Sequence, residues 1–171
     1  MKGMKVLLFV LLTGMTAFAQ NKPAVNPNDP PYKRFPSLPP IDLLRVDSSH
    51  ITKDGLKKQP TIIMYFSPSC DHCNHQMQDM LKQIDKIKKF QWVLATYQPM
   101  PELQDFIKKY QLTKYSFIQL GRDVKFTLPV FYGIQNLPHF ALYDKKWTLI
   151  KTFDGNIAID KLVKMMNKEL N

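Results

Sequence analysis

The sequence lacks several features that would assign a function at once. It has only two cysteines among 171 residues, and no further Cys or His pair follows them at the spacing of a zinc ribbon. No apolar run reaches the roughly 20 residues that span a bilayer. Nucleic-acid-binding motifs and internal repeats are also missing, although the formal net charge is +10. We therefore expect no nucleic-acid partner, and the scattered lysines indicate a solvated basic surface.

Residues 1–19 have the pattern of a secretory signal peptide. Two lysines, Lys2 and Lys5, precede an apolar stretch that ends at the small-x-small tripeptide Ala17-Phe18-Ala19, so we expect cleavage before Gln20. An uncleaved membrane anchor is the alternative, but the apolar stretch is short for one. We therefore predict a periplasmic or secreted protein with no integral membrane span after signal cleavage. That compartment permits disulfides.

Proline is concentrated in one segment. Residues 21–40 hold seven of the thirteen prolines and almost no periodic apolar pattern. Such a composition is typical of an extended segment with polyproline character. We therefore predict a Pro-rich tether over residues 20–40, followed by one folded domain over residues 41–171, a length that suits a single domain.

Strands and helices alternate along the predicted domain. Short β-branched and aromatic runs predict strands, and apolar residues at i, i+3, i+4 and i+7 predict helices. Gly121 is expected to close the third strand, and Asn156 is a candidate N-cap for the last helix. The predicted strands are 61–66, 92–97, 115–120, 140–144 and 147–155, and the predicted helices are 71–89, 101–110 and 157–170, with a loop and a short helix over 123–135. The alternation predicts an α/β fold, a central mixed β-sheet flanked by helices on both faces, with its last two strands antiparallel.

The two cysteines lie in the stretch MYFSPSCDHCNHQM, residues 64–77, where a buried strand is predicted to turn into a helix. The sequence Cys70-Asp71-His72-Cys73 allows four interpretations: haem attachment, a metal site, a structural disulfide or a redox dithiol. Haem attachment requires a histidine directly after the second cysteine, whereas here Asn74 follows and His75 comes one residue later. A peroxidase of the redoxin type is also disfavoured, because no Pro-x-x-x-Thr-x-x-Cys pattern is present.

Helical geometry argues against a four-ligand metal site. At about 100° per residue, Cys70 and Cys73 lie on one face of a helix, whereas His72 and His75 point to nearly the opposite face. The four side chains therefore cannot all reach one tetrahedral ion. A two-cysteine Cu(I) site remains an alternative, completed by His139 or by a methionine.

A purely structural disulfide would add little stability at this spacing. A bridge that closes a loop of only four residues, from Cys70 to Cys73, restricts the unfolded chain very little. Its contribution is roughly 2 kcal/mol, against about 4.7 kcal/mol for a loop of about 100 residues. A secreted domain with a full core would gain little from it.

A redox dithiol fits both the spacing and the local environment. Side chains at i and i+3 of a helix lie roughly 5 to 6 Å apart, within reach of a disulfide. Cys70 would stand at the helix N-terminus, where unpaired N–H groups and the helix dipole favour the nucleophilic thiolate. Cys73 lies one turn before Met77 on the apolar stripe, so we expect it to be buried and to act as the resolving thiol.

The sequence resembles the thioredoxin family, particularly the TlpA/ResA-like secreted thiol-disulfide oxidoreductases of bacteria. The resemblance is carried by TIIMYFSPSCDHCNHQM, residues 61–77, and by YGIQNLPHFALYD, residues 132–144, and it covers most of residues 36–170. It implies a thioredoxin-like fold that exchanges disulfides with protein thiols or disulfides in the cell envelope. It also implies a membrane electron donor or acceptor for the dithiol, and no cofactor or metal beyond the redox-active Cys70–Cys73 disulfide.

The resemblance gives Leu137 and Pro138 a role as well. The Leu137-Pro138 bond would be a cis peptide packed beside the dithiol, where it helps to hold an incoming substrate chain and keeps metals off the cysteines. A trans proline in a loop before a strand is the alternative, because only a few per cent of X-Pro bonds in folded proteins are cis.

Two acidic positions of the family hold uncharged residues in this sequence. Met64 stands where thioredoxins carry a buried acid in the active-site strand, and Gln76 stands where many TlpA/ResA-like proteins have a glutamate. Asp71 and His72 are the candidate replacements for proton handling, since histidine titrates near neutral pH. Equally, both are ordinary polar residues at a helix start.

The sequence therefore predicts an extracytoplasmic thiol-disulfide oxidoreductase that uses Cys70 and Cys73, working as a reductase rather than an oxidase. The alternative is a non-catalytic binding module with the same fold, or a Cu(I) carrier that uses the same two cysteines. Loss of both family carboxylates is the observation in favour of the alternative.

Overall fold

The fold is a mixed β-sheet covered by helices, and the computed structural model describes residues 26–168. The strands are β1 (Asp42–Leu44), β2 (His50–Thr52), β3 (Thr61–Tyr65), β4 (Gln91–Thr96), β5 (Ile118–Arg122), β6 (His139–Tyr143) and β7 (Leu149–Asp154). The helices are α1 (Pro31–Arg34), α2 (Asp71–Lys82), α3 (Ile84–Ile87), α4 (Met100–Tyr110), α5 (Thr127–Tyr132) and α6 (Ile159–Lys168). None of these helices is long and apolar enough to cross a membrane.

The described strands form one sheet in the order β2-β1-β5-β4-β3-β6-β7. Strands β3, β4 and β5 are parallel to one another. Strand β6 runs antiparallel to β3, and β7 runs antiparallel to β6, as predicted for the last two strands. Strands β1 and β2 extend the sheet beyond β5. The C-terminal ends of the three parallel strands therefore meet at one edge of the sheet.

The central strands β3 and β4 are buried on both faces of the sheet. Alternate side chains of β3 therefore enter two separate cores. Ile62 and Met64 pack with α2, α4 and α6 in what we call the α2-side core. Ile63 and Tyr65 pack with α5 in the α5-side core. This arrangement confirms the predicted α/β fold with helices on both faces of a mixed sheet.

The helix predicted over residues 71–89 is in fact two helices. Helix α2 ends at Lys82, and Gln83 leaves the helical region with φ −120° and ψ 32° before α3 begins. Helix α3 packs against α6, and its Ile87 is fully buried. The Ile87 carbonyl also accepts a hydrogen bond from the Trp92 indole at 3.2 Å. Helical periodicity did not indicate the bend, because the apolar spacing continues through it.

Strand β5 begins later than predicted and runs through Gly121. The Ile118 N–H bonds the Tyr115 carbonyl in a turn, so the strand starts at Ile118 rather than at Tyr115. Gly121 lies inside the strand and does not close it. A Cβ at Gly121 would lie 2.6 Å from the Cβ of Leu43 in β1, so the close approach of the two strands requires glycine.

The last helix begins at Ile159 rather than at residue 157. Asn156, the candidate N-cap, donates instead from Nδ2 to the His72 carbonyl, 2.8 Å away. The residue therefore links the loop between β7 and α6 to the first turn of α2. A side chain that can cap a helix can also bond a distant backbone group, and here the distant partner is preferred.

The boundary predicted between tether and domain lies too far along the chain. Helix α1 packs against α5, and Leu38 is buried. The Leu38 N–H bonds the Trp147 carbonyl at 3.0 Å, and the Leu149 N–H bonds the Pro36 carbonyl at 2.7 Å. Part of the proline-rich segment thus joins the fold, because a proline carbonyl still accepts hydrogen bonds. The predicted signal peptide and the start of the tether lie outside the described residues.

We expect Gly121→Ala to lower the free energy of unfolding by roughly 1–3 kcal/mol, because the added Cβ would overlap Leu43 and force β1 away from β5. Denaturant unfolding followed by circular dichroism measures this loss. Gly55→Ala is the matched control, since a Cβ there would lie 3.4 Å from the nearest atom, the Thr52 hydroxyl oxygen. Equal stability of the Gly121→Ala variant and the parent would contradict the close approach.

Candidate active site

The two cysteines lie at the edge of the sheet where the parallel strands end. The chain leaves β3 at Tyr65, turns through residues 66–70 and enters α2. Cys70 is the N-cap of α2, with φ −84° and ψ 122°, and its N–H donates to the Ser67 carbonyl at 3.1 Å. The Cys70 side chain makes no cap bond and is partly exposed. Its sulfur is therefore available for reaction at the helix N-terminus.

Cys73 is fully buried in the α2-side core, together with Met64 and Met77. The pKa of its thiol is raised to about 12, chiefly because burial disfavours the thiolate. A backbone interaction with Ser67 opposes the rise, and the neighbouring Cys70 adds to it. Both cysteines are free thiols in this structure. The two environments are those expected of an attacking thiol and a resolving thiol.

The segment before β6 reaches the same edge of the sheet as the cysteines. Tyr65, the last residue of β3, pairs with His139, the first residue of β6. The Leu137-Pro138 peptide bond just before it is cis. Leu137 is partly buried and packs against the α2-side core, as Cys70 does. The structure thus brings the dithiol and the proline segment to adjacent strand ends.

Asp71 and His72 are both exposed at the start of α2. Among residues 26–168, neither side chain has a hydrogen-bond partner. The contact between His72 and Asn156 involves only the backbone carbonyl of His72, which accepts from the Asn156 amide. His75 is exposed too. Proton handling by Asp71 and His72 therefore stays a prediction.

The two positions where the sequence resemblance implied acids are both fully buried, Met64 in β3 and Gln76 in α2. Met64 belongs to the α2-side core. Gln76 is fully buried, and its amide bonds both backbone groups of Ile157: Nε2 donates to the carbonyl at 3.1 Å, and Oε1 accepts from the N–H at 2.7 Å. An ionised carboxylate could only accept. The Gln76 amide therefore fastens α2 to the loop between β7 and α6, a role that no sequence pattern indicated.

His139 lies on the other face of the sheet from Cys73. Its ring centre is 5.3 Å from that of Tyr132 in the α5-side core, and its Nδ1 shares a 2.6 Å hydrogen bond with the Asp154 carboxylate. His139 is therefore not positioned to complete a Cu(I) site with the cysteines, which removes one of the two ligands considered for that alternative. In the part of the chain that the structure describes, no three His, Cys, Asp or Glu side chains are grouped closely enough to hold a metal ion.

Burial lowers the pKa of His139, and the Asp154 carboxylate opposes this shift only in part. The Nε2 atom is buried and has no hydrogen-bond partner among the described residues. Protonation of the ring would therefore place an unpaired charged donor in the α5-side core, which is unfavourable. The folded protein keeps His139 neutral at a pH where the unfolded chain, with an ordinary imidazole pKa near 6.5, begins to bind a proton.

The free energy of unfolding should consequently fall as the pH is lowered below about 6.5, because the unfolded state then binds more protons than the folded state. Urea unfolding at about pH 7.5 and about pH 5.5 measures the difference. His139→Gln should remove this part of the pH dependence, and His75→Gln, a change at an exposed histidine, should leave it intact. A His139→Gln variant with the parental pH dependence would show that His139 is not the group responsible.

Neither a family sequence profile nor a curated protein sequence matches the chain. Solved structures do match. A secreted Mycobacterium tuberculosis disulfide oxidoreductase homologous to E. coli DsbE superposes with a TM-score of 0.63 at 15% identity, over 75% of this chain and 95% of that chain. StoA from Bacillus subtilis gives a TM-score of 0.58 at 21% identity, over 76% and 98% of the two chains.

A thiol:disulfide interchange protein of the thioredoxin family from Chlorobium tepidum gives a TM-score of 0.65 at 16% identity, over 79% of this chain and 96% of that chain. These three likenesses span nearly the whole length of the similar structures. Because the sequence identities are only 15%, 21% and 16%, the similarity to these structures establishes the fold alone. The chain has the thioredoxin-like fold that its sequence resemblance implied.

Proposed function

We propose that this protein is a thiol-disulfide oxidoreductase that exchanges disulfides with protein substrates outside the cytoplasm. The observation that carries the proposal is the contrast, within one helical turn, between the partly exposed thiol of Cys70 and the fully buried thiol of Cys73. Two thiols at i and i+3 can form a disulfide with little backbone movement. Thiol-disulfide chemistry in the names of two similar structures supports the proposal.

In the first step the Cys70 thiolate attacks a substrate disulfide. A bond forms between the Cys70 sulfur and one substrate sulfur, and the other substrate cysteine leaves as a thiolate that takes up a proton. The Cys70 sulfur makes no hydrogen bond that caps α2 and is partly exposed, so a substrate disulfide can reach it. Cys73 does not compete, because its raised pKa keeps it a thiol at neutral pH.

In the second step Cys73 resolves the mixed disulfide. Cys73 loses its proton and attacks the Cys70 sulfur, so the intramolecular disulfide forms and the second substrate cysteine is released and protonated. The substrate has then gained two electrons and two protons, and the Cys70/Cys73 pair has lost them. An electron donor must return the pair to the dithiol before the next cycle.

We assign substrate positioning to Leu137 and Pro138. Both residues precede β6, whose first residue pairs with the end of β3, and they therefore stand next to the loop that carries Cys70. Asp71 is the exposed residue next to Cys70, with His72 beside it, and we assign these two residues to proton exchange with solvent during the two steps. Their exposure supports that assignment, because it leaves both side chains open to water.

The proposed location is the periplasm or the outside of the cell. Support comes from the signal-peptide pattern of residues 1–19 and from the secreted M. tuberculosis protein among the similar structures. Disulfides persist in that compartment, so a protein that reduces them there needs electrons supplied from elsewhere. We therefore propose that the partners are protein disulfides of the cell envelope and a membrane electron donor.

Cys73→Ser should trap substrates as mixed disulfides, because the first step remains and the second is lost. Non-reducing gels of a bacterial host that exports the variant should show adducts that disappear on reduction, and mass spectrometry identifies the linked cysteine as Cys70. Cys70→Ser should form no adducts, and the double variant gives the background. Equal adducts from both single variants would contradict the assignment, and a chain that formed none but retained copper through its cysteines would indicate the carrier.

The two thiols should also differ in their reaction with iodoacetamide. In the reduced native protein only Cys70 should be alkylated, because Cys73 is buried and its raised pKa suppresses the reactive thiolate. Cys73 should react once the protein is unfolded in urea. Peptide mass spectrometry measures both sites, and Cys70→Ser tests whether native Cys73 stays unreactive without its neighbour. Rapid alkylation of both cysteines in the native state would contradict the proposed division of roles.

A further inference from the structure

Asn74, the residue directly after the dithiol, is the centre of a hydrogen-bond network between α2 and α4. Its Nδ2 group donates to the Pro68 carbonyl at 2.8 Å and to the Cys70 carbonyl at 2.9 Å. Its Oδ1 atom accepts from the Tyr110 hydroxyl at 2.6 Å and from the Lys109 ammonium at 2.8 Å. The amide thus uses both of its donors and both acceptor positions.

The network joins three segments that are separate in the sequence: the loop before α2, the first turn of α2 and the end of α4. The α4 end of the network is held by core packing. The Tyr110 ring packs edge-on to Phe106 with ring centres 4.8 Å apart, and Phe106 is buried. The Lys109 ammonium also lies 5.0 Å from the centre of the Tyr110 ring. The Tyr110 hydroxyl that donates to Asn74 is therefore held in place by the core, whereas the Lys109 side chain is exposed.

Helix α2 does not need this network for its own hydrogen bonds. The Asn74 backbone N–H already donates to the Cys70 carbonyl at 3.0 Å, which is the ordinary bond of a helical turn. The side chain adds a second bond to that carbonyl and one to Pro68. Removal of the side-chain amide would leave the helical bond and remove the hydrogen bond that ties the Pro68 carbonyl to α2. The network therefore positions Cys70 and the residues before it.

We propose that Asn74 is a positioning residue that stabilises the dithiol form of the Cys70/Cys73 pair relative to the disulfide form. This inference rests on the proposed redox role of the pair. In the disulfide form the S–S bond itself ties Cys70 to α2 through Cys73. In the dithiol form, which this structure shows, only the backbone and hydrogen bonds connect Cys70 to α2, and the Asn74 amide holds the Cys70 carbonyl. The dithiol form therefore depends more strongly on Asn74.

The glutathione equilibrium measures this difference. Two glutathione thiols reduce the Cys70–Cys73 disulfide to two thiols and become one glutathione disulfide, so two electrons and two protons are transferred. Asn74→Leu keeps a similar side-chain size and cannot form the hydrogen bonds. It should shift the equilibrium toward the protein disulfide by about five- to tenfold, the size expected for the loss of one net hydrogen bond. A tenfold shift corresponds to a potential about 30 mV more negative.

The experiment uses the full chain, equilibrated in glutathione buffers and then alkylated. Mass spectrometry measures the fraction of the chain that carries free thiols. Tyr110→Phe removes one partner of the network and should shift the equilibrium in the same direction as Asn74→Leu, by a smaller factor. Gln78→Leu is the matched control, an amide-to-leucine change at an exposed position of the same helix, and should have no effect. Parental equilibria for both Asn74→Leu and Tyr110→Phe would overturn the inference.

Unfolding of both redox forms gives an independent check. Asn74→Leu should lower the free energy of unfolding of the dithiol form more than that of the disulfide form. The folded and unfolded chains, each as dithiol and as disulfide, form a closed thermodynamic cycle. The difference between the two losses should therefore match the shift in the glutathione equilibrium. A purely structural role would destabilise both forms equally, leave the equilibrium unchanged and overturn the inference. A parental chain that forms no internal disulfide in any glutathione buffer would instead overturn the proposed function, and this inference with it.

Discussion

Burial of the Cys73 thiol is the constraint on which the rest of the site depends. A thiol enclosed by the α2-side core stays protonated near neutral pH, and the proposed function therefore makes Cys70 the thiol that begins the exchange reaction. The same burial makes proton removal the difficult part of the second step. Met64 and Gln76 occupy the positions where the sequence resemblance implied acids, and neither side chain can take up the proton of Cys73.

Side-chain amides hold the start of α2 from two directions. Gln76 and Asn156 bind it to the loop between β7 and α6, through bonds to the Ile157 backbone and to the His72 carbonyl. Asn74 binds it to α4 and to the loop that precedes Cys70. Amides both donate and accept, and they do not titrate in the physiological range. The position of the dithiol is therefore fixed by groups whose hydrogen bonds do not depend on pH.

Much of the central fold could be predicted from the sequence, because it depends on local patterns. The buried run at residues 61–66 and the apolar spacing that starts at Met77 placed the cysteines at a strand-to-helix junction, and the structure agrees. The burial of Cys73 also followed from that spacing. The bend at Gln83 did not, because apolar periodicity runs through it unchanged.

The contacts that could not be predicted are those between residues far apart in the sequence. A proline-rich segment indicated a tether, yet Leu38 is buried and the Pro36 carbonyl joins the edge of the fold. In the sequence alone, Asn74 indicates only that haem attachment is excluded, and Gln76 only that an acid implied by the resemblance is missing. Their partners lie in α4 and at Ile157, and no periodic pattern connects them.

The reduction potential of the Cys70/Cys73 pair in the full chain tests the proposed function most directly. The chain is equilibrated in buffers with defined ratios of thiol to disulfide, unfolded and alkylated. Its mass is then measured by mass spectrometry, which gives the number of free thiols. A reductase should show one two-electron transition, with both thiols lost together, near the potential of thioredoxin, about −270 mV. Two thiols that stay free in every buffer would contradict disulfide exchange, and a transition near about −120 mV would contradict a reductase.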